Sequence, residues 1–206
     1  VVAENGPKIL GSLLMVLIVA YLSYAVHMIV VYSTTVKTLG GLSPLAFFKG
    51  MIPAMLLAFS SSSSVGTLPL NKECCEKLGA KKEITSFVIP LGATINMDGT
   101  AIYQGVCAVF IAACFGIDLN LSQMITIVLT ATLASIGTAG VPGAGMVMLA
   151  MVLQSVGLPV EGIALVAGVD RIFDMGRTVL NITGDASCSI IVSNMERKKE
   201  LKKAAK

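Results

Sequence analysis

Long apolar segments occupy almost the whole chain, and polar or glycine-rich interruptions divide most of them. A membrane-spanning helix requires about 20 consecutive, mostly apolar residues. The segment 9–36 meets this requirement without a charged residue. Four further apolar segments, each with an interruption, lie at 45–70, 84–117, 121–160 and 162–192. The pattern predicts one plain transmembrane helix and four segments with a more complex path.

The interruptions differ in their chemistry. Five serines at 60–64 interrupt the second segment, Asn-Met-Asp-Gly-Thr at 96–100 interrupts the third, and a glycine-rich stretch at 137–145 interrupts the fourth. Irregular backbone at membrane depth is tolerated only where it is buried in protein or lines a watery cavity. We therefore expect these interruptions to surround one internal site.

The basic residues are distributed unevenly around these segments. Of the 15 lysines and arginines, all except Lys8, Arg171 and Arg177 lie just before or near the start of the second segment, in the loop before the third segment or in the C-terminal tail. Cytoplasmic loops carry an excess of basic residues, so the second segment is predicted to start and end on the cytoplasmic side. The fourth segment, whose flanks carry Asp118 and Glu161, then starts and ends on the opposite side. These segments are predicted to be two re-entrant hairpins that enter from opposite faces.

The composition agrees with lipid as the surrounding solvent. Hydrophobic residues make up 55% of the 206 residues and charged residues only 13%, with a mean hydropathy of +0.84, whereas a soluble domain carries about 25% charged residues. This hydrophobicity excludes a disordered chain, and an aromatic content of 5% without tryptophan argues against a nucleic-acid partner. The predicted fold is an all-α membrane protein with transmembrane helices and two opposed re-entrant helical hairpins.

Six charged residues lie inside the third and fifth apolar segments, although each costs about 2.5–3.5 kcal/mol at the centre of a membrane helix. They are Asp98, Asp170, Arg171, Asp174, Arg177 and Asp185. At about 100° per residue, one face of the last helix carries Asp170, Asp174, Arg177, Thr178, Asn181 and Asp185. A polar stripe of this kind indicates a functional site.

The charges of the stripe have two interpretations. They could form internal salt bridges that hold a helix bundle together. For Arg171 in particular, a purely neutralising role beside Asp170 and Asp174 is an alternative. Alternatively, the planar guanidinium of Arg177 binds a carboxylate through two parallel hydrogen bonds, and Asp174 binds an ammonium group. The second interpretation predicts a receptor for a zwitterion that carries an additional carboxylate.

The interruption at 96–100 suggests a cation site. A hard monovalent cation prefers oxygen ligands, and an unwound helix offers main-chain carbonyls beside a carboxylate such as that of Asp98. Gly92 and Thr94 lie about one turn earlier. The cation and the zwitterion are therefore expected to bind close together.

Several motifs resemble one known family. They are Gly-Thr-Leu-Pro at 66–69 after a serine-rich stretch, Pro-Leu-Gly-Ala-Thr-Ile-Asn-Met-Asp-Gly-Thr at 90–100, Gly-Thr-Ala-Gly-Val-Pro-Gly at 137–143, and Asp-Met-Gly-Arg-Thr at 174–178 followed by Asn181 and Asp185. Together they resemble the sodium-coupled glutamate/aspartate transporters, the dicarboxylate/amino acid:cation symporter family. The resemblance covers essentially the whole chain.

The resemblance implies an order of elements. These are span six at 7–36, hairpin one at 45–78, span seven at 84–115 with an unwound part at 96–100, hairpin two at 121–158, span eight at 162–195, and a cytoplasmic tail at 196–206. Spans one to five, with most of the scaffold through which the family forms homotrimers, are absent. The chain thus resembles the C-terminal half of the transport domain, which is not expected to form a trimer or to transport by itself.

The resemblance also implies which residues bind substrate and sodium ions. Asp174 is expected to bind the amino group of L-aspartate or L-glutamate, and Arg177 the side-chain carboxylate. The implied substrate-binding set is Ser64, Thr100, Val141, Gly145, Asp170, Asp174, Arg177, Thr178 and Asn181. The implied sodium ligands are Gly92, Asn96, Asn181 and Asp185 at one site, Thr94, Ser135, Ile136 and Thr138 at a second, and Asn96 and Asp98 at a third.

The function implied by the resemblance is sodium-coupled symport of acidic amino acids by an elevator-type mechanism. Within the family, Asp174 favours an amino acid over a dicarboxylate, and Arg177 favours an acidic over a neutral amino acid. The expected location is a bacterial plasma membrane, with several spans and a cytoplasmic C-terminus. The chain departs from the family at one point. Archaeal members carry an arginine at the tip of hairpin one, whereas this chain has serines there. Arg171, in the last helix, is the candidate for a related role.

Other functions remain alternatives at the level of sequence. A proton-coupled symporter, or one for neutral amino acids or dicarboxylates, would share the family's motifs. A channel is less compatible with two opposed hairpins whose tips are closed. An intramembrane aspartyl protease requires Gly-x-Gly-Asp, and Ile182 stands where its first glycine is needed.

Overall fold

The structure of the chain, a computed structural model, describes the backbone of residues 7–204 and the side chains of residues 11–204. Every regular element in this range is helical, which confirms the expected all-α class. A π-helical turn (Met28–Tyr32) and a 3₁₀ turn (Val160–Gly162) lie between α-helices. The α-helices are α1 (Pro7–His27), α2 (Ser33–Thr38), α3 (Pro44–Ser61), α4 (Ser64–Lys77), α5 (Lys82–Ile95), α6 (Asp98–Cys114), α7 (Leu121–Ile136), α8 (Ala144–Ser155), α9 (Ile163–Ala167) and α10 (Asp170–Ala204).

A tight turn at Ser62 and Ser63 joins α3 to α4, and we call these two helices hairpin one. Ser62 has a left-handed backbone conformation (φ 52°) that ends α3. The Ser63 side chain then accepts a hydrogen bond of 3.0 Å from the Gly66 amide and caps α4. The serines that interrupt the second apolar segment thus form the tip of a helical hairpin.

The helices α7 and α8 pack together as a second pair, which we call hairpin two. Their tip, residues 137–143, contacts the tip of hairpin one. The Ser63 hydroxyl and the Val65 amide both donate to the Gly140 carbonyl, at 3.1 and 3.3 Å. The serine-rich and glycine-rich interruptions, 77 residues apart in the chain, therefore meet.

The third segment breaks into α5 and α6 at Asn96 and Met97 alone, a shorter interruption than the expected 96–100. The Asn96 amide donates to the Gly92 carbonyl at 2.8 Å, which closes the last turn of α5. Asp98 begins α6, where a carboxylate is favoured by the positive end of the helix dipole.

The last helix, α10, is the centre of the molecule. It contacts α1, α3, α4, α5 and α6, and residues 176–187 are all buried. Its 35 residues extend about 52 Å at 1.5 Å per residue. It begins at Asp170 rather than at residue 162, because the short α9 occupies the start of the expected span 162–195. It also continues past residue 195, through the polar tail, to Ala204. Residues 205 and 206 of the expected tail lie outside the described range.

Large apolar side chains are exposed on the outside of the molecule. Leu14 and Leu22 of α1 are 59% and 60% exposed, and Leu133 of α7 is 70% exposed. By length and composition, three helical stretches can cross a membrane: Gly11–Thr38, Pro44–Ser61 and Lys82–Cys114. Such continuous apolar surface is typical of contact with lipid or with another part of a protein.

The crossing of α6 over α10 depends on Gly99. A Cβ atom at this position would lie 2.5 Å from the Arg177 carbonyl oxygen, which is main chain and cannot rotate away. We expect Gly99→Ala to destabilise the protein by about 1–3 kcal/mol through overpacking. Thermal unfolding in detergent measures the effect.

Gly105 provides the matched control in the same helix, because a Cβ atom there meets nothing within 4 Å. Gly105→Ala is expected to leave the unfolding temperature unchanged or to raise it, since alanine is the better helix former. Equal losses in both variants would contradict the proposed role of the helix crossing.

Candidate functional site

The polar interruptions enclose a small cavity between the two hairpin tips, the α5–α6 break and the middle of α10. Its volume of about 10 Å³ leaves room for roughly one water molecule. Eight of the nine expected substrate-binding residues line it: Ser64, Thr100, Val141, Gly145, Asp174, Arg177, Thr178 and Asn181. Asp170 does not line the cavity and lies behind Arg177 instead.

Arg177 is buried in the wall of this cavity with its side chain 3% exposed. Its Nε donates to Asp174 Oδ1 at 2.8 Å, and its Nη1 lies 3.7 Å from Asp170 Oδ1. The Tyr103 ring lies against the guanidinium, 4.5 Å from Cζ to the ring centroid. Nη1 has no hydrogen-bond partner among the described residues. The guanidinium is thus held in place while donors remain for an additional carboxylate.

Asp174 connects α10 to the tip of hairpin two. Its Oδ2 accepts a hydrogen bond of 2.8 Å from the Gly143 amide, and its Oδ1 accepts from Arg177. The Thr178 hydroxyl is 3.4 Å from the same Oδ1. Each carboxylate oxygen can accept two hydrogen bonds, so Oδ2 keeps one lone pair for a further donor beside Gly143.

The absence of a side chain at Gly145 leaves room for the Arg177 guanidinium. A Cβ atom at Gly145 would overlap the guanidinium Nη1. The Gly145 carbonyl accepts a hydrogen bond of 3.4 Å from Gln104, which ties the start of α8 to α6. Gly145, one of the expected substrate-binding residues, thus lies in direct contact with the arginine.

Asp185 forms a second polar centre, deeper along α10. It is 2% exposed, and Asn96 Nδ2 donates to its Oδ1 at 2.9 Å. Asn96 Nδ2 also donates to the Asn181 carbonyl at 3.1 Å, and a Cβ atom on Gly92 would overlap the Asp185 carboxylate. The four residues expected at one sodium site are therefore in mutual contact.

Asn181 contacts both the cavity and the Asp185 centre. Its side-chain Oδ1 accepts a hydrogen bond of 2.8 Å from the Gly99 amide, and its amide lies beside Thr100 at the cavity. Its main-chain carbonyl faces Asn96 on the Asp185 side. One residue of α10 thus connects the cavity to the Asp185 centre.

The residues expected at a second sodium site lie at the ends of α5 and α7, which contact each other. The hydroxyl groups of Thr94, Ser135 and Thr138 donate to carbonyls of their own chain segment, those of Leu91, Thr132 and Ala134. The side chain of Ile136 has no oxygen. The main-chain carbonyls of all four residues offer oxygen atoms to a cation, and the three hydroxyl oxygens also keep their lone pairs.

Two side chains near Asp98 are not among the expected site residues. Tyr32 donates to Asp98 Oδ2 at 2.7 Å, and His27 Nε2 lies 3.3 Å from the same oxygen. The π-helical turn of Met28–Tyr32 follows His27 directly and ends at Tyr32, and such turns often occur at functional sites. Nothing in the spacing of the sequence indicates this contact, because the partners are 66 residues apart or more.

Arg171 lies apart from the stripe charges. Its guanidinium donates to the Ser60 carbonyl at 3.1 Å, on hairpin one. The ion pairs of Asp170 and Asp174 are formed with Arg177. The interpretation in which Arg171 neutralises those two aspartates is therefore wrong.

Comparisons with known proteins agree on one family. The profile described as "Sodium:dicarboxylate symporter family" matches residues 1–195. The chain is 45% identical over 176 residues to the proton/sodium-glutamate symport protein of Bacillus subtilis, covering 85% of this chain and 41% of that protein. It is 47% identical over 175 residues to excitatory amino acid transporter 3 of Mus musculus (84% and 34%), and 43% identical over 195 residues to excitatory amino acid transporter 1 of Rattus norvegicus (94% and 36%).

Proposed function

Because this chain belongs to the sodium:dicarboxylate symporter family, we propose that it forms the substrate-binding part of a sodium-coupled symporter for L-aspartate and L-glutamate. The family consists of transporters rather than enzymes. The chain spans between 34% and 41% of the length of the three relatives described above. The observation that carries the proposal is the buried Arg177–Asp174 pair beneath the two hairpin tips.

This pair matches an acidic amino acid in charge. Arg177 retains donors for the side-chain carboxylate, and Asp174 offers a carboxylate to the ammonium group. Thr100, Thr178, Asn181, Ser64 and the main chain around Val141 supply further polar groups. A neutral amino acid would leave the free guanidinium donors of Arg177 without an acceptor in a buried site, which is unfavourable. The relatives named for glutamate agree with this choice.

Sodium ions are proposed to bind at the Asp185 centre, at the carbonyls of Thr94, Ser135, Ile136 and Thr138, and near Asp98. Asn181 and Thr138 also line the cavity. A cation that orders these shared residues favours substrate binding, and substrate then favours the cation by the same factor.

Hairpin two is proposed as the gate on the outer side, with both hairpins re-entrant. The cavity in this closed arrangement is far smaller than an amino acid, so the tip must move to admit one. Opening breaks the contacts of Gly143 with Asp174 and of Gly140 with Ser63 and Val65. We infer that the loaded domain then moves across the membrane as an elevator, against a trimeric scaffold built from residues outside this chain. The proposed location is a bacterial plasma membrane with a cytoplasmic C-terminus.

Calorimetry on the purified whole protein tests the proposal. L-Aspartate and L-glutamate are expected to bind in sodium chloride and not in choline chloride of equal ionic strength. Succinate lacks the ammonium group and serine lacks the second carboxylate, so both are expected to bind much more weakly. Absence of binding in sodium, or equal binding in choline, would contradict the symporter assignment.

Gly92→Ala is expected to lower the apparent sodium affinity about tenfold, because the added methyl group overlaps the Asp185 carboxylate and overpacking costs at least about 1 kcal/mol. Sodium titration of aspartate binding measures the effect. Gly105→Ala serves again as the control, since its methyl group meets no neighbour. An unchanged sodium midpoint in Gly92→Ala would contradict the assignment of a cation beside Asp185.

A further inference from the structure

A polar cavity distinct from the proposed substrate site lies at the C-terminal end of the buried part of α10. It has a volume of about 90 Å³ and is enclosed by the turn after α2, the turn between α4 and α5, and one face of α10. The residues that matter for its chemistry are Gly41, Gly79, Ser193, Asn194 and Arg197. None of these residues has a role in the proposed substrate or sodium sites.

Hydrogen bonds to α10 hold the walls of this cavity together. Asn194 Nδ2 donates to the Leu39 carbonyl at 2.7 Å, and Arg197 Nη2 donates to the Gly79 carbonyl at 3.0 Å. The Lys81 amide donates to the Ser193 hydroxyl at 3.0 Å. Both turns that enclose the cavity are thus joined to α10 by hydrogen bonds.

The lining offers donors to a ligand. Arg197 has five N–H donors, of which one is used on Gly79 among the described residues. Ser193 is 2% exposed, and its hydroxyl proton has no acceptor in the part of the chain that the structure describes. Gly41 has φ +67°, and a side chain there would approach Asn194 Nδ2 at 3.2 Å, so glycine keeps this side of the cavity open.

The charges around the cavity favour an anion. No aspartate or glutamate lines it. The nearby Glu200 carboxylate is paired with Lys81 at 2.6 Å. Beyond Arg197, the same helix carries four exposed lysines: Lys198, Lys199, Lys202 and Lys203.

The position of the cavity identifies the anion. The last buried residue of α10 is Ser193, and charged, exposed residues follow, as expected where a helix leaves the membrane. In the proposed orientation this end faces the cytoplasmic leaflet, whose lipids include anionic headgroups. An arginine fork binds two phosphate oxygens at once. We propose that this cavity binds the phosphate group of an anionic phospholipid, with Arg197 as the main ligand and Ser193 and Asn194 beside it.

The inference rests on the proposed orientation of the chain but not on substrate transport, so its test uses no substrate. Native mass spectrometry of the whole protein would compare binding of phosphatidylglycerol and phosphatidylcholine. Arg197→Gln is expected to weaken phosphatidylglycerol binding about tenfold, because it removes one or two charged hydrogen bonds to the phosphate group. Arg197→Lys, which keeps the charge without the fork, should recover only part of the affinity.

Lys203→Gln is the matched control. It removes the same charge from the exposed end of the same helix, at a residue that does not line the cavity. It is expected to change the affinity for phosphatidylglycerol by less than about twofold. Lys203 is one of several exposed charges on this end of the helix, and salt screens such charges. Equal losses in Arg197→Gln and Lys203→Gln, or no loss in either, would overturn the proposed site.

Inorganic phosphate distinguishes a lipid from a free anion. Millimolar phosphate is expected to leave phosphatidylglycerol bound, because only the lipid also contacts the surrounding apolar helices. Displacement of the lipid by phosphate, with the same dependence on Arg197, would overturn the assignment to a phospholipid. Thermal unfolding in phosphatidylcholine alone reports separately any loss of the Arg197–Gly79 contact.

Discussion

Replacing Arg177 with alanine is expected to lower the affinity for L-aspartate in sodium by about 100- to 1,000-fold. The reason is the loss of a buried charge-assisted contact, for which truncation of one partner costs about 2–5 kcal/mol. The side chain is only 3% exposed, so its contacts form in a site largely shielded from water. Calorimetric titration in sodium chloride measures the change.

Arg171→Ala is the matched control for this variant, since it removes the same charge from the same helix. Arg171 lies outside the cavity and contacts the Ser60 carbonyl, so aspartate affinity should change by less than about fivefold. A loss in Arg171→Ala as large as in Arg177→Ala would contradict the role of Arg177 as the carboxylate receptor.

Arg177→Ala also leaves Asp170 and Asp174 without their ion-pair partner, and the protein could lose stability for that reason. Arg177→Lys keeps the positive charge and thus separates folding from binding. We expect it to unfold near the temperature of the unmodified protein and still to bind aspartate at least about tenfold more weakly, because lysine lacks the planar fork. Unchanged binding in Arg177→Lys would exclude bidentate recognition.

The polar interruptions predicted the residues of the site better than they predicted where the helices begin and end. Buried charge and irregular backbone in lipid are costly, so each must serve a purpose, and Arg177, Asp174 and Asn181 do line one cavity. The ends of helices depend on smaller energies. The α5–α6 break is two residues rather than five, because α6 already begins at Asp98 and includes Gly99 and Thr100.

Contacts between distant elements could not be predicted from local pattern. The hydroxyl of Tyr32 and the ring of His27 reach Asp98 from another helix, and Tyr103 supports Arg177 from α6. In the sequence these residues are unremarkable members of apolar helices. Their positions follow from how the helices cross, which depends on close approaches such as Gly99 against Arg177.

Replacing Asp185 with asparagine is expected to raise the sodium concentration needed for aspartate binding at least tenfold. The carboxylate is 2% exposed, and no lysine, arginine or histidine pairs with it among residues 11–204. A buried charge without a counterion is strongly unfavourable, so a bound cation would relieve it. The asparagine side chain has the same shape but no net charge.

This variant should show two opposite effects. Sodium affinity should fall, measured by sodium titration of aspartate binding, while thermal stability in choline should stay equal or rise because the buried charge is gone. Asp118→Asn, at an exposed position between α6 and α7, should change neither quantity. If Asp185→Asn lost stability in choline and kept its sodium midpoint, Asp185 would be a structural residue held by Asn96. The cation site would then have to lie elsewhere in the polar centre.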